Sequence, residues 1–89
     1  MKVVITIVGK DRVGIIAKVS NILAERNANI LNINQNIVDG FFNMVMIVDM
    51  ANVNSPLTEL QQLLKDEGQA MGLDIRAQHE DIFKSMHTI

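Results

Sequence analysis

The spacing of hydrophobic residues along the chain switches between the period of strands and the period of helices. Four short runs of β-branched and other apolar residues predict strands, at residues 2–8, 30–38, 41–50 and 73–79. Two stretches between them place their apolar residues on one helical face, namely Ile15, Val19, Ile22 and Leu23 in the first and Leu57, Leu60 and Leu64 in the second. The predicted order of elements is therefore β-α-β-β-α-β.

Turn and cap residues mark the boundaries of these elements. Asp39–Gly40 lies between two apolar runs, which predicts a tight hairpin between the second and third strands. Ser55 is the expected N-cap of the second helix, and Pro56 its first helical residue. Gly68 is expected to weaken the middle of that helix, and Gly72 to end it.

This order is typical of an α+β, ferredoxin-like βαββαβ sandwich, in which two helices cover one face of a four-stranded antiparallel sheet. The nearly continuous apolar third strand is expected at a central position. Residues 1–89 are expected to form a single domain with a C-terminal extension at about 80–89. The extension has a short helical pattern and is expected to pack on its own domain or on a second copy; its apolar residues are Ile82, Phe83, Met86 and Ile89.

The second strand has an unusual polar pattern. Leu31, Ile33 and Ile37 are expected on one face, and the amides of Asn32, Asn34 and Asn36 on the other. These amides suit a zwitterionic ligand, or they form the polar outer face of an edge strand. Gln35 falls on the apolar face, so it lies either near a pocket or in the core with backbone partners. Met44, Met46 and Met50 are expected to fill the core, although such residues also make adaptable binding faces.

Composition excludes several classes of function. The chain has no cysteine, so it has no disulfide, thiolate metal site or cysteine nucleophile. Its net charge is −2 and its aromatic content 3%, which argue against a nucleic-acid-binding surface. No apolar run reaches the ~18 residues of a membrane span, and the first residues do not resemble a signal peptide. We therefore expect a cytoplasmic protein that binds neither nucleic acid nor membrane.

No constellation of residues indicates catalysis. The acidic residues are scattered, and Ser85 near His87 has no third partner that would complete a triad. His79 and His87 match no recognised metal-ligand spacing and are interpreted as surface residues. We expect a protein that is not an enzyme and that needs no cofactor or metal.

The loop between the first strand and the first helix has the chemistry of an amino-acid site. Backbone N–H groups at the start of a helix attract a carboxylate. Asp11 could accept a hydrogen bond from a ligand ammonium, Arg12 could pair with a carboxylate, Gly14 permits close backbone approach, and Ile15 could form a wall. The structural alternatives are a helix cap at Asp11, a solvated Arg12 and a tight turn at Gly14.

Three segments resemble the ACT domain family: Gly-Lys-Asp-Arg-Val-Gly-Ile at 9–15, Ala-Asn-Ile-Leu-Asn-Ile-Asn-Gln at 28–35, and Gly-Leu-Asp-Ile-Arg at 72–76. The resemblance covers nearly the whole chain and is greatest to stand-alone, single-domain members and to regulators of the glycine cleavage system. It implies a homodimer that binds an amino acid or similar metabolite near the subunit interface and signals to a partner. The ligand-binding residues that it implies are Asp11, Arg12, Val13, Gly14, Ile15, Asn34 and Gln35. Many members carry Pro in place of Val13.

A different class of function is also compatible with the sequence. The chain could be a protein-interaction or dimerisation module without a ligand, which would work through its sheet face or its C-terminal extension. Replacement of Gly14 by a bulky residue separates the two hypotheses, because it should abolish a ligand response and spare partner binding. A small enzyme is a third hypothesis, which lacks a catalytic pair.

Overall fold

The computed structural model describes residues 1–10 and 14–86, and this part of the chain forms four strands and three helices. Their bounds are β1 (Lys2–Lys10), α1 (Ile15–Glu25), β2 (Asn29–Val38), β3 (Phe41–Asp49), α2 (Leu57–Met71), β4 (Asp74–His79) and α3 (Glu80–Met86). The predicted βαββαβ order is confirmed, and the C-terminal extension contributes α3. None of the helices in the described ranges is long and apolar enough to cross a membrane.

The four strands form one antiparallel sheet in the order β2-β3-β1-β4. The predicted ferredoxin-like fold and the central position of β3 are therefore confirmed, and β2 and β4 are the two edges. One face of the sheet joins the helices in a single core, which includes Ile5 of β1 with its cross-strand partners Met46 and Ala77. The predicted apolar faces of the helices supply the rest, including Ile15, Val19, Leu23, Leu60 and Leu64.

The strands differ at their ends from the runs predicted by sequence. β1 continues to Lys10, β2 begins at Asn29, β3 ends at Asp49 and β4 begins at Asp74. Backbone pairing explains the longer β1, because Gly9 and Lys10 pair with Phe42 and Phe41 although neither side chain belongs to the apolar run.

The hairpin between β2 and β3 has the predicted two-residue turn. Asp39 and Gly40 both have positive φ, at 52° and 79°, as a type I′ turn requires. The turn fixes the register, so that Val38 pairs with Phe41 and Ile37 with Phe42.

The alternation predicted for β2 fails near its beginning. Ile30 pairs with Val48 and Asn32 with Ile47, so a bulge leaves Leu31 out of the register. Leu31 is therefore not a regular member of the apolar row with Ile33 and Ile37, as the sequence predicted. A bulge inserts a residue without changing composition, and periodicity alone does not reveal it.

The prediction for the start of α2 was wrong by one residue. The helix begins at Leu57, and Pro56 occupies the N-cap position with an extended ψ of 153° and its carbonyl oxygen accepting from Glu59 N at 3.1 Å. Ser55 lies one residue too early to cap, and no side chain caps the helix. The predicted stop at Gly72 is confirmed, because Gly72 has φ 73° and Leu73 N donates to Gly68 O at 2.7 Å.

Gly68 has a packing role that the sequence did not reveal. It is buried, and a Cβ at this position would lie 2.9 Å from Cγ1 of Ile75 and 3.0 Å from the carbonyl oxygen of Leu73. The glycine therefore allows α2 to lie directly against β4.

Candidate functional site

An open cavity of about 540 Å³ lies at the hairpin end of the sheet, lined by Gln35, Asn36, Ile37 and Phe42. Phe42 pairs with Ile37 on one side and with Gly9 on the other. The cavity is therefore next to the point where β1 enters the loop that leads to α1. The fold thus brings one residue of the predicted site, Gln35, to the end of the sheet that carries the predicted loop.

The cavity combines an apolar floor with an exposed amide. Phe42 is 7% exposed and belongs to the core, whereas Ile37 is 61% exposed. The Gln35 side chain is exposed and offers both a donor and an acceptor of hydrogen bonds. This combination suits a small molecule with one polar group and a short apolar part.

The start of α1 is the other part of the predicted site that the structure describes. Gly14 is the N-cap with φ 89°, and within residues 1–10 and 14–86 no side chain caps the helix or places an acid in its first turn. The N–H groups at the start of a helix attract an anion in general. A Cβ at Gly14 would meet no atom within 4 Å, so this glycine is required by the backbone conformation and not by crowding.

The other predicted site residues have different surroundings. Ile15 is 2% exposed and packs in the core. Asn34 pairs with Val45 and lies on the face of the sheet opposite Gln35. Asp11, Arg12 and Val13 lie outside the described residues. The structure therefore brings Gln35 and the α1 terminus to one end of the molecule, and leaves Asn34 on the other face.

Phe42 and Ile37 are cavity residues that the sequence reasoning missed. The signal for them was present, because a two-residue turn at Asp39–Gly40 pairs residue 37 with residue 42. Both positions were interpreted only as strand residues.

The structure also gives the positions of the β2 and β3 residues whose interpretation the sequence left open. Gln35 is exposed at the cavity and is not a core amide. Asn32, Asn34 and Asn36 share the face of an edge strand that points away from the helices, and Asn36 also contributes to the lining of the cavity. The three methionines Met44, Met46 and Met50 are buried, as the core interpretation predicted.

A second open cavity, of about 450 Å³, lies between the end of α1 and the start of α2. Among the described residues that line it, the one cation is Arg26, which already donates to Ile22 O at 3.3 Å and lies 3.9 Å from Glu25. Glu59 adds a further carboxylate to the lining. A ligand carboxylate is therefore poorly accommodated here, and the cavity at Gln35 is the better candidate.

His79 has a structural role at the junction of β4 and α3. Its Nδ1 accepts from Asp81 N at 3.0 Å and lies 3.7 Å from Oδ2 of Asp81. Within residues 1–10 and 14–86, no group of three His, Asp or Glu side chains could hold a metal ion. His87 lies outside the described residues.

Fold and cavity together define a small ferredoxin-like domain with a candidate ligand site at the hairpin end of its sheet. The chain belongs to the ACT domain family, whose family model matches residues 2–78. This family consists of regulatory rather than catalytic domains, and its members are associated with small-molecule binding.

Known proteins similar to this chain agree with that assignment. A UPF0237 protein of Clostridium perfringens is 53% identical over 89 residues, which are 100% of both chains. A solved ACT domain protein from Streptococcus pneumoniae has a TM-score of 0.81 and 35% identity, covering 100% of this chain and 97% of its own. The structure of a protein assigned as a glycine cleavage system transcriptional repressor has a TM-score of 0.71 and 26% identity, over 89% of this chain and 47% of that one.

Proposed function

We propose that this protein is a non-catalytic regulatory module that binds an amino acid or a similar small metabolite at the β1–α1 loop, near a homodimer interface. Occupancy of the site would shift a conformational equilibrium that a partner protein senses. Family membership supports the regulatory role, because ACT domains commonly dimerise and bind such ligands.

The observation that supports the proposal is the Gln35 cavity, which lies at the end of the sheet where Phe42 pairs with Gly9 of β1. A ligand carboxylate would accept hydrogen bonds from the first N–H groups of α1, after Gly14. The Gln35 amide would bind a polar group of the ligand, and a short apolar side chain would lie against Phe42 and Ile37. Asn34 faces the other side of the sheet, so within one copy we assign it no contact with this ligand.

The residues of the β1–α1 loop complete the proposed site. Asp11 would accept from the ligand ammonium and Arg12 would pair with its carboxylate, with Val13 beside them. Ile15 would support the site from the core, where its side chain packs.

Thermal unfolding against a panel of the twenty amino acids tests the proposal. A ligand that binds only the folded state at a hundredfold excess over its Kd adds about 2.7 kcal/mol of stability and raises the midpoint. We expect a selective rise that Gln35→Ala reduces. Gln62→Ala, which changes an exposed glutamine on α2, is the matched control and should keep the rise. No rise with any amino acid would contradict the proposal.

The second candidate function is a dimerisation or protein-interaction module without a ligand. The observation that favours it is the exposed apolar side chains of β2, among them Ile33 and Ile37. Gly14→Val separates the two, because its side chain would project into the open space at the start of α1. The ligand hypothesis predicts that this variant loses the midpoint rise, and the interaction hypothesis predicts unchanged assembly. Wild type and Gly14→Val are compared by the rise in midpoint that the ligand causes. The midpoint without ligand is not compared, because strain at Gly14 lowers it in the variant.

A further inference from the structure

The hydrogen-bonding phase of the sheet identifies the backbone groups at the outer edge of β4. Met50 N donates to Met1 O at 2.8 Å, so the odd-numbered residues of β1 turn their backbone groups toward β3. The even-numbered residues of β1 and β4 therefore bond to each other. By the same alternation, the N–H and C=O groups of Ile75 and Ala77 point away from the sheet. These are the groups to which a further strand would bond.

One of these outward groups is bonded to a side-chain amide of the same domain. Gln61 on α2 reaches over the edge, and its Nε2 donates to Ala77 O at 2.7 Å. A glutamine side chain ends in an amide like that of the backbone, so it takes the place of an N–H from a neighbouring strand. The carbonyl stays paired when the N–H of an added strand replaces Nε2. Gln61 therefore closes the edge with a bond that can be exchanged.

A cavity of about 240 Å³ lies along this edge, between α2 and β4. Gln61, Lys65 and Gly68 follow each other at i, i+4 and i+7 on one side of the helix, and Gly68 allows that side to lie close to β4. The floor of the cavity is apolar, because Ile75 and Ala77 line it and are each 4% exposed. The helical side of an added strand would therefore lie against apolar side chains, with Lys65 at the rim.

The cavity is positively charged, although the whole molecule has a net charge of −2. Among the described residues that line it are two cations, Lys65 and Arg76, and no carboxylate. Asp74 lies 3.2 Å from Nε of Arg76 and offsets that charge. Lys65 is exposed, and no carboxylate in the described part of the chain forms an ion pair with it. The edge therefore attracts an acidic segment.

We infer that the outer edge of β4 binds an extended acidic segment of a partner protein as a fifth strand, after Gln61 releases Ala77. The residue of the segment opposite Ile75 would point to the helical side, where a Glu or Asp could pair with Lys65. Backbone hydrogen bonds would supply the affinity, as in other domains that bind a peptide at a sheet edge. The Gln35 cavity lies at the opposite edge of the sheet, so this inference does not depend on the ligand hypothesis.

A second copy of this chain is a poorer occupant than an acidic peptide. If β4 paired with β4 of another copy, both molecules would bring Lys65 and Arg76 to the junction, where like charges repel. β4 also has only six residues, so a junction between two such strands is short. A short edge is sufficient for a peptide, because transient contacts bury little area.

Amide hydrogen exchange followed by NMR tests the geometry in the protein without ligand. The N–H groups of Ile75 and Ala77 point to solvent and should exchange rapidly, whereas that of Arg76 bonds to β1 and should exchange slowly. The probe is the synthetic peptide acetyl-Thr-Val-Thr-Glu-Thr-Val-Thr-amide. At saturation it should slow exchange at Ile75 and Ala77 at least about tenfold. The same peptide with N-methylated backbone amides is the control and should leave exchange unchanged, because it cannot donate to the edge.

Fluorescence anisotropy of the labelled peptide measures its affinity, with an expected Kd on the order of 100 μM for so short an edge. Lys65→Glu should weaken binding at least about tenfold. Lys10→Glu makes the same change of charge at the exposed end of β1 and should have little effect. Gln61→Ala should tighten binding about fivefold, because its amide no longer competes for Ala77 O, whereas the control Gln62→Ala should not.

Four outcomes would overturn the inference. The first is no binding of the peptide at millimolar concentration. The second is slowed exchange in β2 and not in β4, which would place the added strand at the other edge. The third is equal binding by Lys65→Glu and wild type, together with equal binding of a peptide that has Lys in place of Glu. The fourth is slow exchange at Ile75 and Ala77 without peptide that becomes rapid on dilution, which would make a second copy the occupant.

Discussion

The two edges of the sheet are built in opposite ways. β4 has only six residues, carries the adjacent pair Asp74 and Arg76 and has α2 packed against it. β2 has ten residues, no charge and little cover. Both are edge strands of one antiparallel sheet, so the pairing rules alone do not account for the difference.

β4 is closed by a side chain from its own domain. The odd-numbered residues of β4 turn their backbone groups outward, as the register of β1 between β3 and β4 requires. Gln61 of α2 reaches over this edge and its Nε2 donates to the carbonyl oxygen of Ala77 at 2.7 Å. A side chain of the same domain thus satisfies one outward carbonyl of the β4 edge, whereas the β2 edge lines the candidate site.

The largest expected effect is on the β4 side, at the contact between α2 and the sheet. Gly68→Val should lower the free energy of unfolding by about 2–3 kcal/mol, because its side chain would overlap Ile75 and the backbone of Leu73. Urea unfolding measures the loss. Ala70→Val, an exposed position on the same helix, should cost only about 0.5 kcal/mol of helix propensity. Equal losses of unfolding free energy in Gly68→Val and Ala70→Val would contradict the role of Gly68 in close packing.

A smaller effect is expected at Gly14, on the side of the candidate site. Gly14→Ala should cost about 1–2 kcal/mol, because φ is 89° and an L side chain is strained there. Crowding adds nothing, since no atom lies within 4 Å of the added Cβ.

Gly14→Asn is the control for this prediction, because asparagine tolerates positive φ better than alanine. Urea unfolding should therefore find Gly14→Asn closer to wild type than Gly14→Ala. An alanine variant as stable as wild type would show that the positive φ is not needed.

Local sequence signals predicted most of the fold. The apolar stripes of both helices, the Asp39–Gly40 turn and the stop at Gly72 each have a local physical cause, and each was confirmed. The bulge at Leu31 and the packing of Gly68 were missed, because each depends on the strand alongside and not on neighbouring residues in the chain.

The candidate site was less predictable for the same reason. Gln35 was identified by its position on an apolar face and by the family resemblance. Its cavity also depends on Phe42, which the pairing of β3 with β2 brings opposite Ile37, a property of the assembled sheet. Asn34 was grouped with Gln35 through the resemblance, although alternation places them on opposite faces of one strand.

The closure of β4 can be removed with one substitution. Gln61→Leu keeps the size of the side chain and loses its hydrogen bond to Ala77 O, which should cost about 1 kcal/mol. It also leaves an outward carbonyl on the β4 edge. We expect urea unfolding to detect the loss and light scattering to detect assemblies larger than the wild type forms.

Gln62→Leu is the control for Gln61→Leu. Gln62 is exposed and donates only to Asp66 on its own helix, so the change should cost a few tenths of a kcal/mol and leave assembly unchanged. A Gln61→Leu variant with wild-type stability and assembly would mean that this hydrogen bond does not protect the edge.

The smallest expected effect concerns the ion pair that follows β4. Lys84 Nζ lies 2.7 Å from Oε1 of Glu80 on α3. The hydrogen bond from Lys84 lowers the pKa of Glu80 below its ordinary value of 4.5, and the same bond raises the pKa of Lys84 above 10.5. The stabilisation from Glu80 is complete above pH 4.5 and is lost as the pH falls through the lowered pKa. That from Lys84 is complete below pH 10.5 and is lost as the pH rises through the raised pKa.

The pair should therefore stabilise α3 across the neutral pH range. Glu80→Gln should remove the loss of this stabilisation at acid pH, and its amide still offers Lys84 a hydrogen-bond acceptor. The difference in Tm between wild type and Glu80→Gln, followed from pH 7 to pH 3, should shrink as the wild-type carboxylate is protonated. Because both groups are exposed, the difference should be small at every pH and smaller still in about 1 M salt. A difference that grows toward low pH would mean that the pKa of Glu80 is raised and not lowered. It would contradict the stabilisation of α3 by this pair.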